Sequence, residues 1–209
     1  MIIAIDGPAA SGKGTLGKRL SEHFSFAHLD TGLLYRAVAR VMLDRDLDLN
    51  DRDAAHEVAL NLDVTHLDDP RLRGAQMGEA ASVISGYQPV RDALLAFQRG
   101  FAEQPPGAVL DGRDIGTVVC PHADVKLFIT AAPEERARRR HLELQNRGEQ
   151  TEYSTILEDI RRRDERDMNR VSAPLKPAAD AITLDTTHLD ANAAFQAALA
   201  FVKAKVGRA

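Results

Sequence analysis

A glycine-rich stretch near the start of the chain carries the clearest chemical signal in the sequence. The letters GPAASGKGT, residues 7–15, lie between the apolar run IIAID and a segment whose apolar residues recur at helical spacing. Backbone N–H groups can converge on phosphate oxygens where the residues are small, and a helix that begins there adds the positive end of its dipole. The GxxxxGK pattern between a strand and a helix is typical of nucleotide-phosphate binding, and a purely structural glycine turn is the weaker interpretation.

The residues of this loop predict a site for a nucleoside triphosphate together with Mg²⁺. The Lys13 side chain supplies a mobile cation to the outer phosphates, and the Thr15 hydroxyl can bind Mg²⁺. Lys13 is therefore a candidate catalytic residue, and Thr15 is a candidate metal ligand. The residues expected to contact the triphosphate are Gly7, Pro8, Ala9, Ala10, Ser11, Gly12, Lys13, Gly14 and Thr15.

A second motif, LDTGLLYR, places polar residues where the second predicted strand ends. Asp30 and Thr31 lie at the end of that strand, and Tyr35 and Arg36 follow about one turn into the next helix. In open parallel sheets, ligands bind outside the carboxyl ends of the strands. These side chains are therefore expected to face the phosphate loop.

A third motif, VLDGRDIG, does the same for the third predicted strand. Asp111 lies at its end, where it can bind Mg²⁺ or a water of its shell, and Arg113 and Asp114 come just after. Arginines at two adjacent strand ends suit the binding of an acceptor phosphate and the neutralisation of a migrating phosphoryl group. A surface salt bridge explains either arginine alone equally well, but the pair opposite a phosphate loop favours the functional interpretation.

A fourth motif, RRRDERDMNR at 161–170, has the spacing of a helix with one strongly polar face. Arg163, Arg166, Asp167 and Arg170 are three or four residues apart and share that face. A ladder of ion pairs within the helix explains this spacing. A polar wall that faces the cleft and contacts the sugar or base explains it equally well.

The elements that would position these residues are those of an α/β fold with a doubly wound, five-stranded parallel sheet. Five apolar runs without alternation, separated by helical patterns, predict buried parallel strands. The runs cover 2–6, 26–30, 108–111, 125–130 and 181–185, and helices are predicted over 12–24, 33–43 and 133–147. The interval from about 44 to 107 is mostly helical in pattern and is typical of a lobe inserted into the sheet.

Composition limits the classes of partner. The 209 residues predict one folding unit, and a net charge of -4 gives no overall attraction to nucleic acid or to an anionic membrane. The single cysteine, Cys120, excludes an intrachain disulfide and fits a reducing compartment. No apolar run approaches the roughly 20 residues of a membrane span, and the scattered histidines form no metal motif. We therefore expect no nucleic-acid partner, no membrane partner and no structural metal.

Two classes of phosphate-loop protein fit these features, namely enzymes that transfer the γ-phosphoryl group and proteins that hydrolyse the triphosphate to switch or move. A GTPase is expected to carry an NKxD-type motif, which is absent, and the chain is short for an oligomeric ATPase. RNA binding by the arginine-rich region 136–170 is disfavoured, because ten arginines face eight acidic residues without interleaved aromatics. Transfer is the favoured class.

With these motifs in order from the first strand to the last, the chain resembles the bacterial cytidylate kinases. The resemblance rests on GPAASGKGT, LDTGLLYRAVA, DGRDIGTVVCPHADVKLFITA and RDERDMNRVSAPLKPAADAITLDTT. DGRD is the discriminating element, because adenylate kinases carry a DGFPR-type sequence at that strand end. The resemblance implies transfer from Mg·ATP to CMP or dCMP, by a cytoplasmic monomer. A UMP or AMP kinase is the alternative acceptor enzyme, and an ATPase or switch protein is the alternative outside that class.

The resemblance also implies roles for individual residues. Arg36 and Arg113 would hold the acceptor phosphate, and Arg163 joins them and Lys13 as a candidate catalytic residue. Thr31, Arg91, Asp114 and Arg170 would contact cytosine, and Ser82, Arg163 and Asp167 would lie around the sugar, although the division between base and sugar contacts stays open. The full set expected to bind the acceptor is Thr31, Tyr35, Arg36, Ser82, Arg91, Asp111, Gly112, Arg113, Asp114, Arg163, Asp167 and Arg170.

At the level of domains, the resemblance implies a single kinase domain, 1–209, with three parts. These are a core of 1–31 and 108–209, an acceptor-binding lobe of 32–107 and a lid of about 146–157. Bacterial cytidylate kinases usually carry a strand-rich insertion in the lobe, and the short segment 63–85 predicts that these strands are absent or reduced here. Candidates for neutralising charge when the lid closes are Arg136, Arg139, Arg140 and Arg147.

Overall fold

One parallel sheet forms the centre of the protein. The structure is a computed structural model that describes residues 1–206, apart from the side chains of Ala75 and Val206. The strands follow the order β2-β3-β1-β4-β5 and are all parallel. They are β1 (Ile2–Asp6), β2 (Ala27–Asp30), β3 (Ala108–Gly112), β4 (Val125–Thr130) and β5 (Ile182–Asp185). The predicted fold class is confirmed, and every strand end lies within one residue of its predicted position.

The register of the strands brings their carboxyl ends together. Asp111 of β3 is paired with Ile5 of β1 on one side and with Asp30 of β2 on the other. The three strands therefore end at the same level, and the residues that follow them meet at one edge of the sheet.

Eight helices connect and cover the described strands. They are α1 (Lys13–Phe24), α2 (Thr31–Asp44), α3 (Arg52–Leu60), α4 (Ala75–Ile84), α5 (Gln88–Ala102), α6 (Pro133–Asn146), α7 (Tyr153–Asn169) and α8 (Ala191–Val206). Helix α2 begins two residues before its predicted start, because the Asp30 carboxylate accepts a hydrogen bond from the N–H of Gly32 at 2.9 Å and caps the helix. Helix α7 ends at Asn169, so Arg170 lies just beyond the helix on which it was predicted.

Two apolar cores cover the two faces of the sheet. On one face, Ile3 and Ile5 of β1 pack with Leu16 and Leu20 of α1 and with residues of α8. On the other face, residues of α2 to α5 pack against β2 and β3, with Leu110 completely buried. Helices α6 and α7 share a third and much smaller cluster, which contains Ala137, Leu144, Ile156 and Ile160.

All of the regular secondary structure between β2 and β3 is helical. Between α3 and α4 the chain forms only two short 3-10 turns, Val64–His66 and Pro70–Leu72. No strand is present between residues 63 and 85, so the predicted absence of extra strands in this segment is confirmed. None of the helices within residues 1–206 is long and apolar enough to cross a membrane.

Candidate active site

A cleft opens at the carboxyl ends of β1, β2 and β3. The phosphate loop and helices α2, α4, α5 and α7 surround it. Four residues of the loop line it, namely Ala9, Ala10, Lys13 and Gly14. All of the residues that the sequence predicts around the acceptor line it as well: Thr31, Tyr35, Arg36, Ser82, Arg91, Asp111, Gly112, Arg113, Asp114, Arg163, Asp167 and Arg170. The structure therefore brings the four motifs to one place. The strand ends predicted this for the first three motifs, whereas the spacing of 161–170 left its position open.

The loop is fixed from behind by backbone contacts. A Cβ atom at Gly7 would lie 2.0 Å from the carbonyl oxygen of Ile129, so a side chain does not fit there. The Thr186 hydroxyl donates to the Ser11 carbonyl at 3.1 Å, and the Arg136 guanidinium donates to the Ala9 carbonyl at the same distance. The remaining five residues predicted to contact the triphosphate are not part of the cleft lining. They are Gly7, Pro8, Ser11, Gly12 and Thr15.

Lys13 lies where the loop meets the cleft. Its Nζ donates to the Pro8 carbonyl at 3.2 Å. Removal from water, followed by the nearby positive charge of Arg113, lowers the pKa of Lys13 to about 7. An anionic ligand would reverse this shift, because negative charge favours the protonated amine.

Arg36 and Arg113 face the cleft from two neighbouring strand ends. Arg36 donates to the Leu72 carbonyl at 2.9 Å, and burial is the main cause that lowers its pKa. Arg113 donates from Nε to a carboxylate oxygen of Asp167 at 2.8 Å. Burial alone would lower the pKa of Arg113, but the carboxylate of Asp167 outweighs it and raises that pKa. Asp167 thus holds the Arg113 guanidinium in a fixed orientation.

Several buried polar atoms of the cleft have no hydrogen-bond partner among the described residues. They include Ser82 Oγ, Arg163 Nε and Arg170 Nη2. Burial and the positive charge of Arg113 lower the pKa of Arg163 to about 10. Buried polar groups in proteins are almost always hydrogen-bonded, so three unpaired groups around one cleft indicate that a polar ligand completes them.

Asp114 lies between two arginines at the far end of the cleft. Arg91 makes a buried ion pair with one oxygen of Asp114, and Arg170 Nη2 lies 3.7 Å from the other. The Tyr35 ring lies beside Arg91, with 5.8 Å between the ring centroid and the guanidinium carbon. This corner of the cleft offers donors and acceptors in fixed positions beside an aromatic face.

Asp111 is a buried carboxylate that approaches the loop. A Cβ atom added to Gly14 would lie 3.8 Å from Asp111 Oδ1, so this oxygen faces the loop backbone. Thr15, one residue further on, is exposed in the first turn of α1. No group of three or more His, Cys, Asp or Glu that could hold a metal ion exists among residues 1–206. The Asp111 carboxylate and the Thr15 hydroxyl are nevertheless the types of donor that Mg²⁺ accepts, since this ion binds through one or two carboxylates together with phosphate oxygens and waters.

The polar face of α7 contacts two different parts of the protein. Arg163 and Asp167 line the cleft, as does Arg170 just beyond the helix, which agrees with the predicted polar wall. Arg166 instead donates to Glu79 of α4 at 2.7 Å. The ladder within the helix contributes little, since the pairs of Arg166 and Asp167 both reach other elements.

The four arginines predicted to neutralise charge when the lid closes differ in position. Arg140 alone among them lines the cleft, beside Glu143, to which it donates at 2.7 Å. Arg136 is buried and pairs with Asp164 at 3.0 Å, and Arg139 donates to the Thr186 hydroxyl at 3.1 Å. Arg147 pairs with Glu143 at 2.6 Å.

Some lining residues had no predicted role. They are Asp30, Gly32, Ala81, Ser85, Glu143 and Ile160. Asp30 is predicted to face the phosphate loop but has no assigned role there, and burial together with the carboxylate of Asp111 raises its pKa. The position of Asp30 beside Asp111 follows from strand pairing, which a single sequence does not reveal.

Positive charge is concentrated in the cleft. Its lining contains seven cationic residues, Lys13, Arg36, Arg91, Arg113, Arg140, Arg163 and Arg170, and five acidic ones, Asp30, Asp111, Asp114, Asp167 and Glu143. The formal charge of the lining is therefore +2, whereas that of the whole chain is -4. Such a cleft favours anionic ligands.

Comparison with known proteins gives a family and a fold. The family model described as cytidylate kinase matches residues 3–204. The chain is 61% identical over 203 residues to a cytidylate kinase of Methylocella silvestris, which covers 97% of this chain and 94% of that protein. It is 59% identical over 209 residues to a cytidylate kinase of Rhodopseudomonas palustris strain TIE-1, which covers 100% of this chain and 99% of that protein.

A solved structure supports the architecture. The crystal structure of an uncharacterized protein from Eubacterium ventriosum superimposes with a TM-score of 0.55 at 17% identity, over 98% of each chain. At this identity the likeness concerns the fold alone.

Proposed function

The chain belongs to the cytidylate kinase family, and we propose on that basis that it transfers the γ-phosphoryl group of ATP to CMP or dCMP, giving ADP and CDP or dCDP. The observation that carries the proposal is that Arg36, Arg113 and Lys13 all line one cleft, so that two phosphates could bind there side by side. Two anionic substrates bound to these cations would present their phosphates to each other. Phosphoryl transfer depends mainly on such positioning and on charge stabilisation.

The donor site is the phosphate loop. The backbone of residues 7–15 would hold the ATP phosphates, and Lys13 would follow the migrating phosphoryl group. Thr15 and Asp111 would hold Mg²⁺, which when bound neutralises phosphate charge and orients the outer phosphates. The exposure of Thr15 leaves its hydroxyl accessible to such a ligand.

The acceptor phosphate would bind to Arg36 and Arg113. No general base is required, because a phosphate monoester is already largely ionised near neutral pH. Its oxygen attacks the γ-phosphorus in line while the bond to the β-phosphate oxygen breaks, and ADP leaves with that oxygen. Arg163, whose Nε is unpaired, would offset the negative charge on the transferred group.

The nucleoside part of the acceptor would lie deeper in the cleft. Asp114, Arg91, Arg170 and Thr31 would contact cytosine, with the Tyr35 ring beside them. Ser82 and Asp167 would lie near the sugar, and the unpaired Ser82 hydroxyl supports a ligand contact there.

The larger-scale features of the proposal follow from the same family. The core, the acceptor lobe and the lid would close on each other around the substrates, with Arg140 moving toward the phosphates. Closure would exclude water, which otherwise competes as acceptor. The enzyme would act as a monomer in the cytoplasm, where both nucleotides occur.

The test is ADP release with Mg·ATP and one acceptor at a time, CMP, dCMP, UMP or AMP, with a control that lacks acceptor. We expect release that depends on CMP or dCMP. Release without any acceptor would indicate an ATPase, and preference for UMP or AMP would contradict the assignment of the base site. Lys13→Ala is expected to lower turnover by at least about a hundredfold while the chain stays folded, and an active Lys13→Ala variant would contradict the loop assignment.

A further inference from the structure

A histidine outside the predicted site contacts the buried carboxylate of Asp111. His28 Nε2 lies 2.9 Å from Asp111 Oδ2. The side chain of Asp111 is only 2% exposed and that of His28 is 22% exposed. A carboxylate can only accept hydrogen bonds, so the His28 ring donates through Nε2–H.

The strands place this pair on the α1 face of the sheet. Side chains alternate along a strand, so His28 and Asp30 of β2 share one face, and Val109 and Asp111 of β3 share the same face. Val109 packs in the core cluster that contains Leu16 and Leu20 of α1. The His28–Asp111 pair therefore lies under α1, directly behind the phosphate loop.

A glycine in α1 makes room for the pair. A Cβ atom at Gly17 would lie 2.8 Å from His28 Nε2 and 3.4 Å from Asp111 Oδ2. Glycine inside a helix costs about 1 kcal/mol relative to alanine, so its presence needs a reason. The close approach of the His28 ring supplies that reason, and Gly17, His28 and Asp111 form one packed unit.

The two oxygens of Asp111 consequently face different partners. Oδ2 is held by His28, whereas Oδ1 is directed to the Gly14 side of the loop. The Lys13 amine also attracts this carboxylate, because the negative charge of Asp111 counteracts the lowering of the Lys13 pKa. Loss of the His28 hydrogen bond would leave the attraction of Lys13 unopposed at Oδ2.

We propose that His28 is a positioning residue, whose Nε2–H holds Asp111 Oδ2 so that Oδ1 stays available for the Mg²⁺ that accompanies ATP. This inference rests on the proposed function, in which Asp111 contacts that ion. Hydrogen bonds to metal-binding carboxylates fix their orientation, and their removal typically weakens metal binding by about 10- to 100-fold.

The experiment measures binding rather than turnover. An unreactive ATP analogue, adenylyl imidodiphosphate, is titrated calorimetrically into the full chain with and without MgCl₂, and the ratio of the two affinities is the magnesium gain. His28→Leu removes the donor and is expected to reduce the gain by roughly tenfold. His28→Gln carries an amide Nε2–H the same number of bonds from Cα and is expected to retain the gain within about twofold.

A second variant acts without changing either polar residue. In Gly17→Ala the new methyl group would displace the His28 ring, so this variant is expected to reproduce the loss seen in His28→Leu. The double variant is expected to lose no more than either single one, because both break the same hydrogen bond. Gly17→Ala also keeps the proposal testable if His28→Leu does not fold.

The outcomes separate this inference from the proposed function. An unchanged magnesium gain in His28→Leu or in folded Gly17→Ala would overturn the role of His28, as would an equal loss in His28→Gln. A wild-type chain with no magnesium gain, or with no ADP release on addition of CMP, would instead overturn the proposed function itself. Loss in His28→Leu and Gly17→Ala with rescue in His28→Gln would support the positioning role.

Discussion

Lys13 is a cation whose charge depends on what occupies the cleft. Burial and the positive charge of Arg113 lower its pKa to about 7 in the free protein. Phosphates bound beside it would raise that pKa again. Near and above neutral pH, binding of ATP should therefore be coupled to uptake of a proton.

This coupling gives a measurable prediction. At about pH 8.5, ATP is fully ionised and the free Lys13 is mostly neutral, so binding is expected to take up close to one proton. Titration calorimetry in buffers of different ionisation enthalpy measures the number. Lys13→Arg is the control, because a guanidinium stays protonated and should take up none. Equal uptake by both proteins would rule out Lys13 as its source.

Asp167 is expected to contribute to the binding of CMP and not to the binding of ATP. It is buried and accepts a hydrogen bond from Arg113 at 2.8 Å, and although burial raises its pKa, Arg113 outweighs that effect and lowers it. Asp167→Ala removes the carboxylate that orients the Arg113 guanidinium, which should raise the KM for CMP by about tenfold or more. The affinity for the unreactive ATP analogue should change by less than about twofold.

A matched control lies on the same helix. Asp159 pairs with Arg162 at 2.7 Å on the exposed side of α7, so Asp159→Ala should leave both constants unchanged. An effect of Asp167→Ala confined to ATP would show that α7 faces the donor site.

At the level of single residues, the sequence predicted many of the side chains that line the cleft. The loop, DGRD and the spacing of Arg163 and Asp167 identified side chains that the structure brings together. His28 and Glu143 carried no recognisable signal, and Asp30 was predicted to face the loop without an assigned role. Their positions depend on which strands and helices are neighbours, and a lone histidine or glutamate carries no spacing from which to infer this.

Among the elements, β1 does more than lead into the phosphate loop. The carboxylate of its last residue, Asp6, accepts hydrogen bonds from the backbone N–H groups of Ile115 and Gly116 at 2.7 and 2.8 Å. These begin the π-helical turn Ile115–Val119, which follows directly after Asp114. The strand and the DGRD motif are thus joined through one buried carboxylate.

Asp6 also gives the protein a pH-dependent stability. Burial raises its pKa to about 6 despite the two hydrogen bonds. The folded chain therefore holds a proton that the unfolded chain releases, so the contribution of Asp6 to the free energy of unfolding falls as pH rises from about 4 to 6. Urea unfolding of the wild type and Asp6→Asn across this range measures it. The difference in stability, wild type minus variant, should decrease by up to about 3 kcal/mol.

Groups other than Asp6 are present in both proteins, so subtracting the two free energies of unfolding removes their contribution. A difference that stays constant with pH, or that grows, would contradict the raised pKa. Asn keeps one acceptor and turns an amide toward the second N–H, so the variant should also be less stable at low pH.

The strands could be located from the sequence because their apolar runs are compact and bounded by turn residues. The helix ends were less accurate, since the cap at Asp30 and the exit at Arg170 depend on local hydrogen bonds. The π-helical turn was not foreseen, because five residues are too few for a periodic pattern. The order β2-β3-β1-β4-β5 was likewise beyond a single sequence, because it is set by pairing between distant segments.

Across the whole molecule, the inserted helices and α7 are joined by an ion pair that lies outside the cleft. Glu79 of α4 accepts from Arg166 at 2.7 Å and lies 3.7 Å from Arg162. The carboxylate side chain is about one-third exposed, and its surroundings allow only a modest contribution to stability. Its position between the two parts suggests an influence on how the acceptor site is assembled.

Glu79→Gln is expected to raise the KM for CMP by about two- to fivefold, with little change in the midpoint of thermal unfolding. Steady-state kinetics and a melting curve test both statements. Glu22→Gln, which removes an exposed pair with Lys18 on α1, is the control and should change neither. A large fall in the melting temperature with an unchanged KM would assign Glu79 to stability alone.

The small apolar cluster beneath α6 and α7 has a consequence for how the protein breathes. Among the described residues, only four buried apolar side chains and the Arg136–Asp164 ion pair join these two helices inside the protein, whereas the two faces of the sheet are covered by far larger apolar cores. The backbone amides of α6 and α7 should therefore exchange with deuterium through partial openings that leave the sheet intact. Their exchange should be faster than that of the amides of β1 and β3. A bound pair of nucleotides would slow this exchange, so the segment that protects the reaction from water would itself be protected by the reactants.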